Sequence, residues 1–363
     1  MRVILRISFR VVFVVVLSLI LSLALLTITE YRPDDIEVLT VSNQTDLTMN
    51  DDRQISLMTF NLGYAGLGAS EDFVLDGGTR ARPDSREAVE DNLQGITNIL
   101  LDNPVDVYLL QEVDLKARRS YNINQVDYLQ EVLGNGFNST FAFNFKAIFV
   151  PFPVSLTDYI GPVESGLQTL SRYHVDETER HQFPGSFAWP LRIANLKRAM
   201  LVSRIALENS DHELVIVNLH MSAYDADGSL RDAEMSYLRE FMEYEYALGN
   251  YVIIGGDFNQ TFPDAVDKYP LVSDGLYEAF PIEEDFLPNG FNYAIDVTSP
   301  TCRLLNQPYD SDSEFTQYYI IDGFMVSDNI RIDFVETLNY DFEYSDHNPV
   351  VLTVTLLGTG HDA

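Results

Sequence analysis

The sequence predicts an α/β domain of about 310 residues behind a single apolar N-terminal helix. Three observations carry that expectation. Apolar runs of strand length, such as YVIIGGDFN at 251–259, recur along the chain and stop on polar or acidic residues. Segments with helical spacing lie between them. Residues 11–28 form an almost unbroken apolar stretch, interrupted only by Ser18, Ser22 and Thr27. An apolar strand that ends on a carboxylate and an amide presents polar groups at the edge of a sheet, where open α/β sheets place their sites.

The apolar stretch matches the ~20 residues needed to cross a bilayer. Arg2, Arg6 and Arg10 precede it, and Glu30, Asp34, Asp35 and Glu37 follow it. That charge order places the N-terminus inside the cell and the body outside. A cleaved signal peptide is the competing reading. It calls for a shorter apolar core and an A-x-A-like site, and the residues from Ala24 onward make a poor one. The expected organisation is an uncleaved anchor over 1–29, an acidic tether over 30–53, a folded body over 54–358 and a short tail over 359–363.

The net charge is −32, and only four basic residues are lysine, at 116, 146, 197 and 268. This balance argues against a general nucleic-acid scaffold, whose affinity comes from cationic surface meeting phosphates. It leaves room for a local cationic cleft or for phosphate bound through a metal. Cys302 is the single cysteine, so there is no intramolecular disulfide, and a buried inert thiol is the expected role.

Within the body, residues 55–62 read as a strand ending at Asn61, with Gly63, Gly66 and Gly68 opening a loop. Asp84 followed by Glu87 suggests a capping box, and Val89, Leu93, Ile96 and Leu100 give a helix that Pro104 stops. Residues 105–113 form the next strand, with Glu112 near its end. A charged residue closing an apolar strand requires a partner or a metal. A short helix is expected over 128–133 and a strand over 141–149. The segment 151–189 is long for a connection and contains one plausible strand at 166–170, so it suits a substrate-facing insertion.

Residues 198–207 and 213–221 read as paired strands joined by a polar turn. Asn218 and His220, two apart, share a face. Asp225-Ala-Asp227-Gly228 lacks the glycine and acid spacing of a calcium loop and reads as a turn. Ser229 caps a helix to about Leu248, and the strand ending at Asp257 and Asn259 follows. The stretch 261–317 gives no assignable pattern. Residues 318–326 are an apolar strand with Asp322 inside it, which needs a partner such as a histidine. A further strand spans 330–338, and Asp346-His347 stands at the mouth of the last one.

Asn61, Glu112, His220, Asp257, Asn259, Asp322, Asp346 and His347 thus form an ordered set near strand ends. Their order and local wording resemble the endonuclease/exonuclease/phosphatase superfamily. The resemblance is carried by TFNL at 59–62, LLQEV at 109–113, GLQTLSRY at 166–173, VNLHM at 217–221, GGDFN at 255–259, IDGFMVS at 321–327 and SDHNPV at 345–350. It implies a four-layer α/β/β/α sandwich of two packed mixed sheets with outer helices. It also implies hydrolysis of a phosphoester by direct attack of water, assisted by Mg²⁺, with Mn²⁺ as a substitute. Hard oxygen ligands suit such ions, and no Cys–His cluster in the sequence offers a zinc site.

The resemblance further implies roles. Glu112 is the principal metal ligand, Asn61 stands beside it, and Asp346 sits by the metal as a second-site or water-mediated ligand. Asp257 orients or deprotonates the attacking water, and Asn259 bonds that water or the phosphate. His220 and His347 donate to the non-bridging oxygens, and Asp322 orients His347. Arg198 either positions phosphate or forms an internal ion pair.

Two departures point away from DNA: Gly63-Tyr64 replaces the aromatic residue that often follows the first Asn in these nucleases, and cations are scarce. The expected partners are a phosphoester (lipid headgroup, small molecule or nucleic acid) and a membrane, with a monomeric catalytic domain. An extracellular nuclease and a non-catalytic surface binding protein are the alternatives.

Overall fold

A computed structural model of the chain describes residues 2–50, 53–208 and 210–358; the tail at 359–363 lies outside them. Helix α1 (Arg2–Ile28) is long and apolar enough to cross a membrane. Its Ile4–Ile28 portion contains an 18-residue stretch with a mean hydropathy of 3.1, none of it buried against the body. The stretch 30–53, expected as a tether, instead supplies two short strands, β1 (Ile36–Val38) and β2 (Met49–Asn50). Strands this short carry too few inward residues to show a period, yet Met49 is fully buried in the central core.

The body continues with β3 (Gln54–Asn61), α2 (Arg86–Asp102), β4 (Val107–Ala117), α3 (Gln125–Leu133), β5 (Asn138–Val150), β6 (Gly161–Ser171) and β7 (Glu177–Gln182). Next come β8 (Ala199–Glu208), β9 (Glu213–His220), α4 (Ser229–Ala247), β10 (Tyr251–Asp257), β11 (Phe291–Ala294), β12 (Cys302–Arg303), β13 (Tyr318–Tyr319), β14 (Asp322–Ser327), β15 (Ile330–Thr337) and β16 (Val350–Leu356). One sheet has the order β1-β7-β8-β9-β10-β14-β11, with β2 beside β8; the other has the order β15-β16-β3-β4-β6-β5. Both are mixed: β3 and β4 run parallel, as do β9 and β10, among antiparallel neighbours.

The two sheets pack face to face through Leu57, Leu109, Ile216, Ile253, Phe324 and Leu352. Because helices cover the outer faces, the central strands are buried on both sides and read as continuous apolar runs. Val89, Leu93, Ile96 and Leu100 recur on one side of α2 and press onto the outside of the β3–β4 sheet. Met235, Leu238 and Met242 of α4 do the same for the β9–β10 sheet. The expected four-layer sandwich is the observed fold.

Local expectations needed correction where a side chain, and not a pattern, decides the ends. Ser85 caps α2 by accepting from Ala88 N–H (3.1 Å), in place of the expected Asp84. Ser229 is the first residue of α4, not its cap; Asp225 Oδ2 accepts from the backbone of Leu230 and Arg231 at 2.8 and 3.0 Å. The 151–189 segment holds two strands, β6 and β7, with irregular loops on either side of them. The expected strand at 318–326 divides in two, so Asp322 opens β14 and does not lie mid-strand.

Candidate active site

The parallel pairs β3–β4 and β9–β10 end on the same side of the sandwich, and there a single cavity of about 370 Å³ opens. Asn61, Glu112, His220, Asp257, Asn259, Asp346 and His347 all line it. Asp322, the eighth residue of the set, stands behind His347. Strands of both sheets and the loops that follow them therefore bring the predicted residues together.

Asp257 is the focus of this cluster. Its Oδ2 accepts from Asn61 Nδ2 at 3.0 Å and lies 3.3 Å from His220 Nε2; its Oδ1 accepts from Asn259 N–H at 2.8 Å. The strand reaches this point through Gly256, whose φ is 153° and where a Cβ would stand 2.0 Å from the Leu219 carbonyl oxygen. Only glycine lets β10 approach β9 this closely and still deliver Asp257 to the cavity.

Burial pushes the Asp257 carboxyl up to about 7, and the negative charge of Asp322 adds to the effect. Burial likewise raises Asp346 to about 7. His220 is held well below its ordinary value, first by burial and then by the nearby cation of Arg198. His347 goes the other way. Burial opposes its charge, but Asp322, 2.8 Å from Nδ1, holds it well above the usual imidazole value.

Glu112 was expected near a strand end. It sits instead in the middle of β4, at a bulge against β6 between Leu110 and Val113, with φ 52°. A bulge re-aims the side chain out of the sheet. A non-glycine residue in the left-handed region costs about 1–3 kcal/mol and persists where surroundings enforce it. Tyr64, Tyr224 and Asn259, which also line the cavity, have positive φ as well.

Sequence reasoning missed what braces Glu112. Arg119 makes a two-pronged contact with the buried Asp114 (2.9 and 3.2 Å), lies 3.5 Å from Glu112 Oε2 and stacks 3.7 Å over the Tyr64 ring. The Arg118-Arg119 pair directly after an apolar strand, in so acidic a chain, was the available signal. Asp76 was missed too. It lines the cavity, takes a hydrogen bond from Tyr224 and accepts from Leu305 N–H at 3.0 Å. Nothing around it in the sequence distinguishes it from a turn residue.

Arg198 is half-buried beside the cavity, and its buried Nη1 has no hydrogen-bond partner. Burial lowers its pKa, yet a guanidinium stays charged. Asn259 gives a side-chain amide hydrogen to the Met221 carbonyl (2.9 Å), which ties the loop after β10 to the end of β9. Asn218 shares the inner face of β9 with His220, as their spacing implied, and bonds the Leu110 and Gln168 carbonyls of the other sheet at 3.1 Å.

The donor set fits a divalent cation. Asp346 is a buried carboxylate whose contact from Ser345 Oγ is long, 3.4 Å. Glu112 is partly open to the cavity and has a single distant cation. Both offer hard oxygens with charge left to neutralise. The fold also brings Cys302 beside His347 and Asp346, with ligand atoms within 4.8 Å of one another, a cluster the sequence did not reveal. Burial pushes that thiol up to about 12.

The chain matches the Endonuclease/Exonuclease/phosphatase family over residues 58–347. Among solved structures, an endonuclease/exonuclease/phosphatase from Beutenbergia cavernae superposes with a TM-score of 0.57 at 16% identity, covering 86% of this chain and 73% of that one. A family protein from Bacteroides thetaiotaomicron gives 0.54 at 16% identity over 84% and 98%. One from Bacteroides vulgatus gives 0.53 at 15% identity over 84% and 99%. These likenesses show a shared fold. No curated protein matches the chain.

Proposed function

Since the chain belongs to the endonuclease/exonuclease/phosphatase family, whose members are hydrolases acting on phosphoesters, we propose that it is a divalent-metal-dependent phosphoester hydrolase acting by in-line attack of water. One observation carries the reading: Glu112, Asp257 and His347, from distant parts of the chain and from both sheets, line one cavity.

Glu112 and Asp346, with Asn61 beside them, would hold the cation, Mg²⁺ by the hardness of the donors. When bound, it supplies Lewis acidity toward a phosphoryl oxygen and neutralises charge. Asp257, fixed by Asn61, His220 and Asn259, accepts the proton of the attacking water. His347 donates to a non-bridging oxygen as charge grows, oriented by Asp322. His220 completes the donor set. Arg198 binds a phosphate oxygen with the guanidinium nitrogen that lacks a partner, which favours the phosphate role over the ion-pair one. Asn259 acts by fastening the loop that carries Asp257.

The body is held at a membrane by α1, with the N-terminus inside and the catalytic domain outside. The arginines before the helix and the acids after it support that direction. The scarcity of cations favours a lipid headgroup or a small phosphoester over nucleic acid as substrate.

The test is hydrolysis of bis-p-nitrophenyl phosphate by the full chain in detergent with Mg²⁺. Glu112→Gln and Asp257→Asn each lower the rate by about 10²–10³-fold, and calorimetry shows weakened Mg²⁺ binding for Glu112→Gln. Variants as fast as the parent would overturn the proposal.

A further inference from the structure

Outside α1, the two most exposed large apolar side chains among the described residues are Val154 and Leu156, at 100% and 99%. They sit in the loop between β5 and β6. Trp189 and Leu191 are exposed on a second loop, between β7 and β8. Both loops rise from one base: Val150 and Ile160, flanking the first, belong to a buried cluster against which Ala194 and Leu196, after the second, pack. Two neighbouring loops thus each carry a pair of exposed apolar side chains above that shared base. Such a concentration on the surface of a soluble domain marks an interaction site.

The end of α1 is fastened to this same place. Trp189 Nε1 donates to Thr27 Oγ1, in the last turn of the helix, at 3.3 Å. Glu30, whose side chain is only 2% exposed, pairs with Lys197 at 3.1 Å and Arg192 at 3.3 Å. Lys146 lies 5.8 Å from the Tyr31 ring and 3.5 Å from Glu164, which stands opposite Lys116 in the β4–β6 register. Two of the four lysines of a chain with net charge −32, Lys146 and Lys197, thus stand at the helix exit. Tryptophan and lysine are the residues that settle at the headgroup level of a bilayer. The cavity opens beside these loops, since Ile160, Phe187, Leu196 and Lys197 line it.

We propose that the loops at 148–156 and 187–191 are a bilayer-docking surface. The occupant is the lipid surface of the membrane that α1 enters. Val154, Leu156, Trp189 and Leu191 seat among the upper acyl chains, and the cavity mouth is held at headgroup level, so that the phosphoester reaching it is one carried by a lipid. This rests on reading α1 as a membrane span and the cavity as a phosphoester site.

Trp189 is the single tryptophan, which makes its fluorescence a direct probe. The full chain is reconstituted into phosphatidylcholine–phosphatidylglycerol vesicles with and without bromine on the acyl chains. The expected result is at least two-fold quenching of Trp189 by brominated lipid and weak quenching by aqueous iodide. The first loop is read independently by Val154→Trp combined with Trp189→Phe, at a site too exposed to disturb folding, and the same quenching is expected. Tyr244→Trp combined with Trp189→Phe places the probe on exposed α4 and is expected to respond to iodide alone.

Iodide quenching without bromolipid quenching at positions 189 and 154 would overturn the proposal, as would equal bromolipid quenching at 244. No hydrolysis is measured, so the outcome stands apart from the success or failure of the enzymatic reading.

Discussion

His347 Nδ1 lies 2.8 Å from Asp322 Oδ2, and both side chains are almost completely buried. Asp322 opens β14 while His347 precedes β16, so the contact crosses from one sheet to the other. A carboxylate in this position fixes which ring nitrogen faces the cavity and keeps the ring charged. Asp322→Asn keeps the shape and removes the anion. Activity is expected to fall by about 10–100-fold, and the His347 ring is expected to lose its proton at lower pH than in the parent, read by NMR titration.

Arg198 offers the cavity a guanidinium nitrogen without a protein acceptor. A charge-assisted hydrogen bond contributes about 1.5–3 kcal/mol, which corresponds to roughly ten- to hundred-fold in affinity. Arg198→Gln is expected to raise KM by that factor and to weaken inhibition by inorganic phosphate in parallel. An unchanged phosphate inhibition constant would return Arg198 to a purely structural role.

Arg119 serves Asp114, Glu112 and the Tyr64 ring at once. Lysine cannot reproduce a planar fork that pairs and stacks simultaneously. Arg119→Lys is expected to lower stability and activity together. Arg119→Ala leaves Asp114 buried and unpaired and is expected to cost about 3–5 kcal/mol in urea or thermal unfolding.

Glu234 on α4 accepts from Ser222 N–H at 2.8 Å and Ser222 Oγ at 2.6 Å. Burial raises its pKa above the ordinary 4.5 despite those bonds. A raised folded-state value means that the group favours folding below the unfolded pKa and loses that contribution as pH climbs through the folded one. Glu234→Gln does not titrate. The stability of the parent relative to this variant is therefore expected to fall as pH rises above about 4.5, measured by urea unfolding at a series of pH values.

Much of this protein was legible in its sequence because burial on both faces writes strands as apolar runs, and because polar groups at the ends of such runs are costly without a purpose. Asn61, His220, Asp257, Asn259, Asp346 and His347 stood out for that reason, and the sheets gather them. The helices over 86–102 and 229–247 were visible from their spacing, while their first residues were not, since Ser85 and Asp225 are chosen by backbone groups that only the folded turn presents.

What the sequence could not determine is set by contacts between distant segments. The mid-strand bulge that turns Glu112 toward the cavity depends on the register of β4 against β6. The Arg119–Asp114–Tyr64 brace, the burial of Asp76 and the proximity of Cys302 to His347 exist only once the loops close. The strands within 30–53 form because neighbouring edges offer unpaired backbone groups, and two or three residues carry no period by which to announce it. Residue type and alternation determine which elements form and what chemistry they carry; the direction in which each group points is decided by the packing of one sheet on the other.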